Sequence, residues 1–87
     1  MDKRIGTVTI LIEDRSSASE VNAAISLFSD IILCRQGLPM RDSPVAVISL
    51  IVEGAPDRIN ALTGSLGRLP KVQAKAILTK RESKGEN

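Results

Sequence analysis

Histidine is absent from the 87 residues, which removes the usual neutral-pH general base and the commonest metal ligand. The one cysteine, Cys34, stands between Leu33 and Arg35 with no Cys/His pair near it in sequence. A nucleophilic thiol needs a depressed pKa, and Arg35, as a strand neighbour, points to the opposite face, so Cys34 reads as a structural thiol. Glu13, Asp14, Arg15 and Ser16 lie where a strand gives way to a helix, a place where loops often carry ligands. A polar strand end followed by a helix cap accounts for the same residues. Further on, Gly64-Ser65-Leu66-Gly67-Arg68 sets a guanidinium where an anion could approach, although a cation in a helix's last turn is favoured by the dipole alone. Neither stretch forms a GxGxxG or Walker pattern. No catalytic residue, metal ligand set or cofactor follows from these residues, and no enzyme activity is expected. Glu13, Asp14, Arg15, Ser16, Gly64, Gly67 and Arg68 stand as candidate ligand contacts.

The elements that position them follow from hydropathy periods. Residues 3–14, 31–38, 44–53 and 71–79 read as strands, and 18–29 and 57–68 as helices. That β-α-β-β-α-β order predicts an α+β, ferredoxin-like domain: a four-stranded antiparallel sheet with both helices on one face. In the first strand Val8, Ile10 and Ile12 alternate with Thr7, Thr9 and Leu11. Ser17 and Glu20 have capping-box spacing, and Val21, Ala24, Ile25 and Phe28 make one helical stripe. Pro39 marks the second strand as an edge or a bulge, ahead of a hairpin loop at 40–44. The third strand is apolar on both faces, with Val45, Val47 and Ile51 on one and Ala46, Ile48, Leu50 and Val52 on the other, which predicts a central strand whose second face also finds cover. Pro56 suits a first helical position, and Ile59, Leu62, Leu66 and Leu69 carry the second stripe. Gly64 inside that helix suggests close packing on the sheet, or a kink or ligand approach; Gly67 and Pro70 stop the helix.

Length and composition bound the rest. One small domain over residues 1–80 is expected, followed by a mixed-charge tail over 81–87 read as a solvated end. A lone cysteine permits no intrachain disulfide and suits a cytoplasmic protein. No apolar run approaches the ~20 residues that span a bilayer, so no membrane association is expected. Phe28 is the only aromatic residue and falls on a core stripe, so a base-stacking sheet is not expected; the cations are scattered, and direct nucleic-acid binding is not expected either.

Helices on one face leave the other bare, and several residues due to line it are apolar. Thr7, Thr9, Leu11, Val45, Val47 and Ile51 are therefore the expected interface of a homo-oligomer, a two-fold dimer first and a tetramer through a second contact as the wider option.

These stretches also resemble a known family. Thr9–Arg15, Val21-Asn22, Asp30–Pro39, Ile48–Val52 and Ile59–Leu69, the last with an LTGxLG motif at Leu62–Gly67, cover residues 4–79. They are similar to small proteins known as iron-only hydrogenase system regulators, which have an ACT-like fold related to the C-terminal domain of nickel-responsive repressors. The resemblance implies a regulatory, transcription-related role. Nickel sensing is not carried over, because that site needs histidines. The DNA-binding arm of those repressors has no counterpart ahead of a first strand starting near Lys3, which implies action through a sensed ligand or a partner that touches DNA. Two functions follow: a ligand-responsive ACT-like regulatory domain acting as an oligomer, or a protein–protein scaffold without any small ligand.

Overall fold

A computed structural model describes residues 2–80; the predicted 81–87 tail lies outside the described residues. Its elements are β1 (Arg4–Ile12), a 3₁₀ turn (Arg15–Ser17), α1 (Ala18–Ser26), a second 3₁₀ turn (Ser29–Ile31), β2 (Ile32–Pro39), β3 (Ala46–Gly54), α2 (Pro56–Gly67) and β4 (Val72–Leu78). The strands form one sheet in the order β2-β3-β1-β4, every neighbouring pair antiparallel. Both predicted edge and central positions are met: β2, which ends in Pro39, is an edge strand, and β3 lies inside the sheet.

Alternation decides the layers. Val8, Ile10 and Ile12 of β1, Ile48, Leu50 and Val52 of β3, and Val72 of β4 are buried under Val21 and Ile25 of α1 and Ile59, Leu62 and Leu66 of α2. Burying each such aliphatic side chain contributes about 1.5–3 kcal/mol. Gly54 is required by this packing, since a Cβ there would lie 2.8 Å from Ile31 Cγ2.

Several local expectations are corrected. Helix α1 ends at Ser26, so Phe28 follows it, partly buried, with the Arg58 guanidinium 5.1 Å over its ring and Arg58 Nη2 2.7 Å from Asp30 Oδ1. Ser17 makes no capping box with Glu20; its buried hydroxyl donates to Pro70 O at 3.0 Å, and Asp14 caps the 3₁₀ turn instead. Gly64 is not closely packed, because a Cβ there would meet only Arg68 Nη1, at 3.8 Å. Gly67 is the last helical residue and does not take a left-handed conformation; Lys71 does, at φ 61°. The loop after α2 closes through Leu69 N–H to Leu66 O and Val72 N–H to Leu69 O, and that closure sets Lys71 at the mouth of β4.

Candidate functional site

Two regions are at issue: the sheet end that gathers the polar candidates, and the sheet face without helices.

At the first, the β1–α1 loop meets the α2–β4 loop. Glu13 N–H donates to Lys71 O at 2.8 Å, and Gln73 Nε2 donates to Glu13 Oε2 at 2.8 Å. With the Ser17–Pro70 bond, these contacts hold residues 13–17 against 70–73. Asp14 Oδ1 accepts the Ser16 backbone N–H at 3.0 Å. That N–H, then the Ser16 hydroxyl, and more weakly the Lys71 ammonium hold the Asp14 carboxyl below the usual carboxylate range, against a small opposing effect of burial. Arg15 turns away from its neighbours and donates to Met40 O and Ser43 O, which straps the β2–β3 loop to the start of α1. Gly64, Gly67 and Arg68 occupy the end of α2, and the hydrogen bonds that join this end of the molecule to residues 13–17 run through Pro70 and Lys71. Glu13, Asp14 and Ser16 therefore share one loop with Lys71 beside it, while Arg15 has its hydrogen bonds with the opposite loop. Among the described residues, no three of Asp, Glu and Cys group as a metal site.

The second region is the open sheet face. Register arranges three rows that cross all four strands in the order β2-β3-β1-β4, with Glu53 and Ile5 paired on the same face beyond the third. One row is Leu38, Val47, Leu11 and Gln73. The middle row is Gln36, Ser49, Thr9 and Lys75, polar throughout. The third is Cys34, Ile51, Thr7 and Ile77. Thr7, Thr9, Leu11, Val47 and Ile51, all expected on this side, do lie together, and Val45 follows at its end, where its carbonyl accepts Met40 N–H at 2.9 Å.

Sequence reasoning missed Leu38, Gln36, Cys34 and Ile77. Leu38 and Ile77 are among the most exposed large apolar side chains described, at 62% and 75%. The signal for Ile77 was its alternation with Ala76 and Leu78. For β2 there was none, because its pairing shifts register between Ile32 and Cys34. This irregularity sends Arg35 to the helix side, where its guanidinium donates to Asn22 Oδ1, and turns Cys34 to the open face. Cys34 is an exposed free thiol on this face.

Shallow hollows mark this surface. One of about 470 Å³ is lined by Gln36, Gly37, Leu38, Val47 and Ser49, and one of about 300 Å³ by Thr9, Leu11, Gln73, Ala74 and Lys75. Neither includes residues 13–16 or 64–68.

The family model "TM1266-like: Iron-only hydrogenase system regulator, putative" matches residues 4–76. The uncharacterized protein TM1266 from Thermotoga maritima is 39% identical over 91% of this chain and 100% of its own, with a TM-score of 0.84. The ACT domain from the GTP pyrophosphokinase of Chlorobium tepidum superposes at a TM-score of 0.72 and 15% identity, over 86% of this chain and 99% of that domain. The C-terminal domain of the MgtC protein from Mycobacterium tuberculosis gives 0.68 and 12%, over 94% of each chain. The last two likenesses carry the fold alone, which is ACT-like and ferredoxin-like. No protein of curated function matches the sequence.

Proposed function

Because the chain belongs to the TM1266-like family of iron-only hydrogenase system regulators, we propose that it is a regulatory ACT-like subunit that assembles with copies of itself through the open sheet face and responds to a small ligand. The observation that carries this is the open face, where two rows containing Leu38, Val47, Leu11, Ile51 and Ile77 stand uncovered by any helix. Exposed apolar side chains gathered on one face in this way mark an interaction site. The ligand contacts assigned are Glu13, Asp14 and Ser16 with Lys71 beside them, and Gly64, Gly67 and Arg68 at the end of α2. Arg15 acts here by holding the β2–β3 loop. The role carries no catalytic step, is set in the cytoplasm, and reaches transcription through a partner rather than by direct contact with DNA. No helix among the described residues is long and apolar enough to cross a membrane.

A second reading, a scaffold without a small ligand, is favoured by one observation: the hollows of the open face lie away from residues 13–16 and 64–68. A thermal-shift screen of the purified protein against amino acids, nucleotides and divalent metals, followed by titration calorimetry, separates the two. The sensor reading expects a class of compound that raises Tm and loses its effect in Arg68→Ala. No stabilising compound in all three classes favours the scaffold.

A further inference from the structure

We propose that the open face is closed by the same face of a second copy of this chain, about a two-fold axis parallel to the strands and running between β1 and β3. This deepens the assembly reading above and rests on it. Two sheets packed face to face keep their strands within about 30° of alignment. A two-fold pair of such sheets then has its axis either along the strands or along the rows that cross them. Both choices lay the polar middle row on a polar row and the apolar rows on apolar rows, so apolar matching does not separate them.

Charge does. An axis along the rows places each middle-row residue over its own copy and confronts Lys75 with the partner's Lys75, two like charges between low-dielectric sheets. An axis along the strands sets β3 over the partner's β1 and β2 over the partner's β4. Lys75 then faces the partner's Gln36, whose amide oxygen accepts from an ammonium, and Ser49 faces the partner's Thr9. In the flanking rows Val47 covers the partner's Leu11 and Cys34 lies against the partner's Ile77, while Leu38 meets the partner's Gln73, Ile51 the partner's Thr7 and, at the rim, Glu53 the partner's Ile5. The size is sufficient. Four strands at about 4.8 Å spacing and nine residues at about 3.3 Å give roughly 550 Å² of footprint per protomer, about 1,100 Å² for the pair, which clears the ~1,000 Å² expected of a specific interface. The occupant is a second copy rather than a different protein because the middle row complements itself once turned about this axis, Lys75 on Gln36 and Ser49 on Thr9, with Val47 on Leu11 beside it.

The native chain has one cysteine, so each added cysteine creates one readable pair. Ile77→Cys and Leu38→Cys alter exposed side chains, and circular dichroism checks that each variant keeps the fold. Each full-length variant is treated with bis-maleimidoethane and run on a denaturing gel. Within one protomer Cys34 is roughly 14 Å from residue 77 across the sheet and about 13 Å from residue 38 along β2, both beyond the linker. The strand-parallel axis predicts a near-complete covalent dimer for Ile77→Cys, its loss in Cys34→Ser/Ile77→Cys, and single chains for Leu38→Cys and wild type. A covalent dimer from Leu38→Cys alone overturns this axis and leaves assembly through the face standing. A dimer by light scattering with neither variant linked overturns the face as the interface. A mass of one chain with neither linked overturns the assembly reading as well.

Discussion

Asp14 is a carboxylate whose ionised form the fold supports. Its carboxylate accepts the Ser16 N–H that opens the turn into α1, and its pKa lies below the ordinary carboxylate value of about 3.9. A group with a depressed folded pKa stabilises above its unfolded value and loses that contribution as pH falls through the folded one. Asp14→Asn keeps an acceptor oxygen and removes the charge. Thermal melts should show wild type above Asp14→Asn by a constant margin from pH 7 to about 5, narrowing below about pH 4. Lys71 carries the other local constraint, a left-handed backbone at φ 61° that aims its carbonyl at Glu13 N–H. Lys71→Ile should cost about 1 kcal/mol or more in urea unfolding, because a β-branched side chain is poorly accommodated there, whereas Lys71→Gly should hold or raise stability.

At the scale of elements, the two glycines Gly54 and Gly64 behave oppositely for one steric reason. Gly54 ends β3 against Ile31, and Gly54→Ala forces a methyl group to 2.8 Å from Ile31 Cγ2, an overpacking expected to cost about 1–3 kcal/mol. Gly64 lies inside α2 with only the mobile end of Arg68 near its missing Cβ, so Gly64→Ala should stabilise the protein by up to ~1 kcal/mol through helix propensity. Chemical denaturation of the two variants side by side checks both signs. If Gly64→Ala instead keeps stability but abolishes the thermal shift given by a ligand, that glycine serves the proposed site at the end of α2. Arg15 also works at this scale, since its guanidinium joins the β2–β3 loop to the start of α1 and so ties the edge strand to the helix layer.

For the whole molecule, the two faces of β3 predict opposite consequences for one kind of change. Ile48 is buried under the helices, and Ile48→Asp would leave an unpaired charge in the core, enough to unfold a domain of this size. Val47 and Ile51 lie on the open face, Ile51 at 40% exposure. Val47→Asp with Ile51→Asp should keep the circular dichroism of wild type and reduce the light-scattering mass from an oligomer to one chain. A wild-type mass of one chain at micromolar concentration would count against the assembly.

The sequence by itself determined the element order, the two core stripes and the sets of β1 and β3 residues that share a face. Those features depend on local periods of 2 and 3.6, and Val8, Ile10, Ile12, Ile48, Leu50 and Val52 sort correctly on alternation alone. Tertiary structure decided what depends on pairing between strands. The register shift near Leu33 moves Cys34, Gln36 and Leu38 onto the face of Val47 and Ile51; a regular strand would have kept Cys34 on the same side as the inward-facing Ile32. The same holds at the polar end of the sheet. Ser17 is spaced to cap its own helix, yet its hydroxyl reaches Pro70, 53 residues away. The approach of the α2–β4 loop to residues 13–17 offered Pro70 O as a partly buried acceptor instead, and no local pattern records that approach.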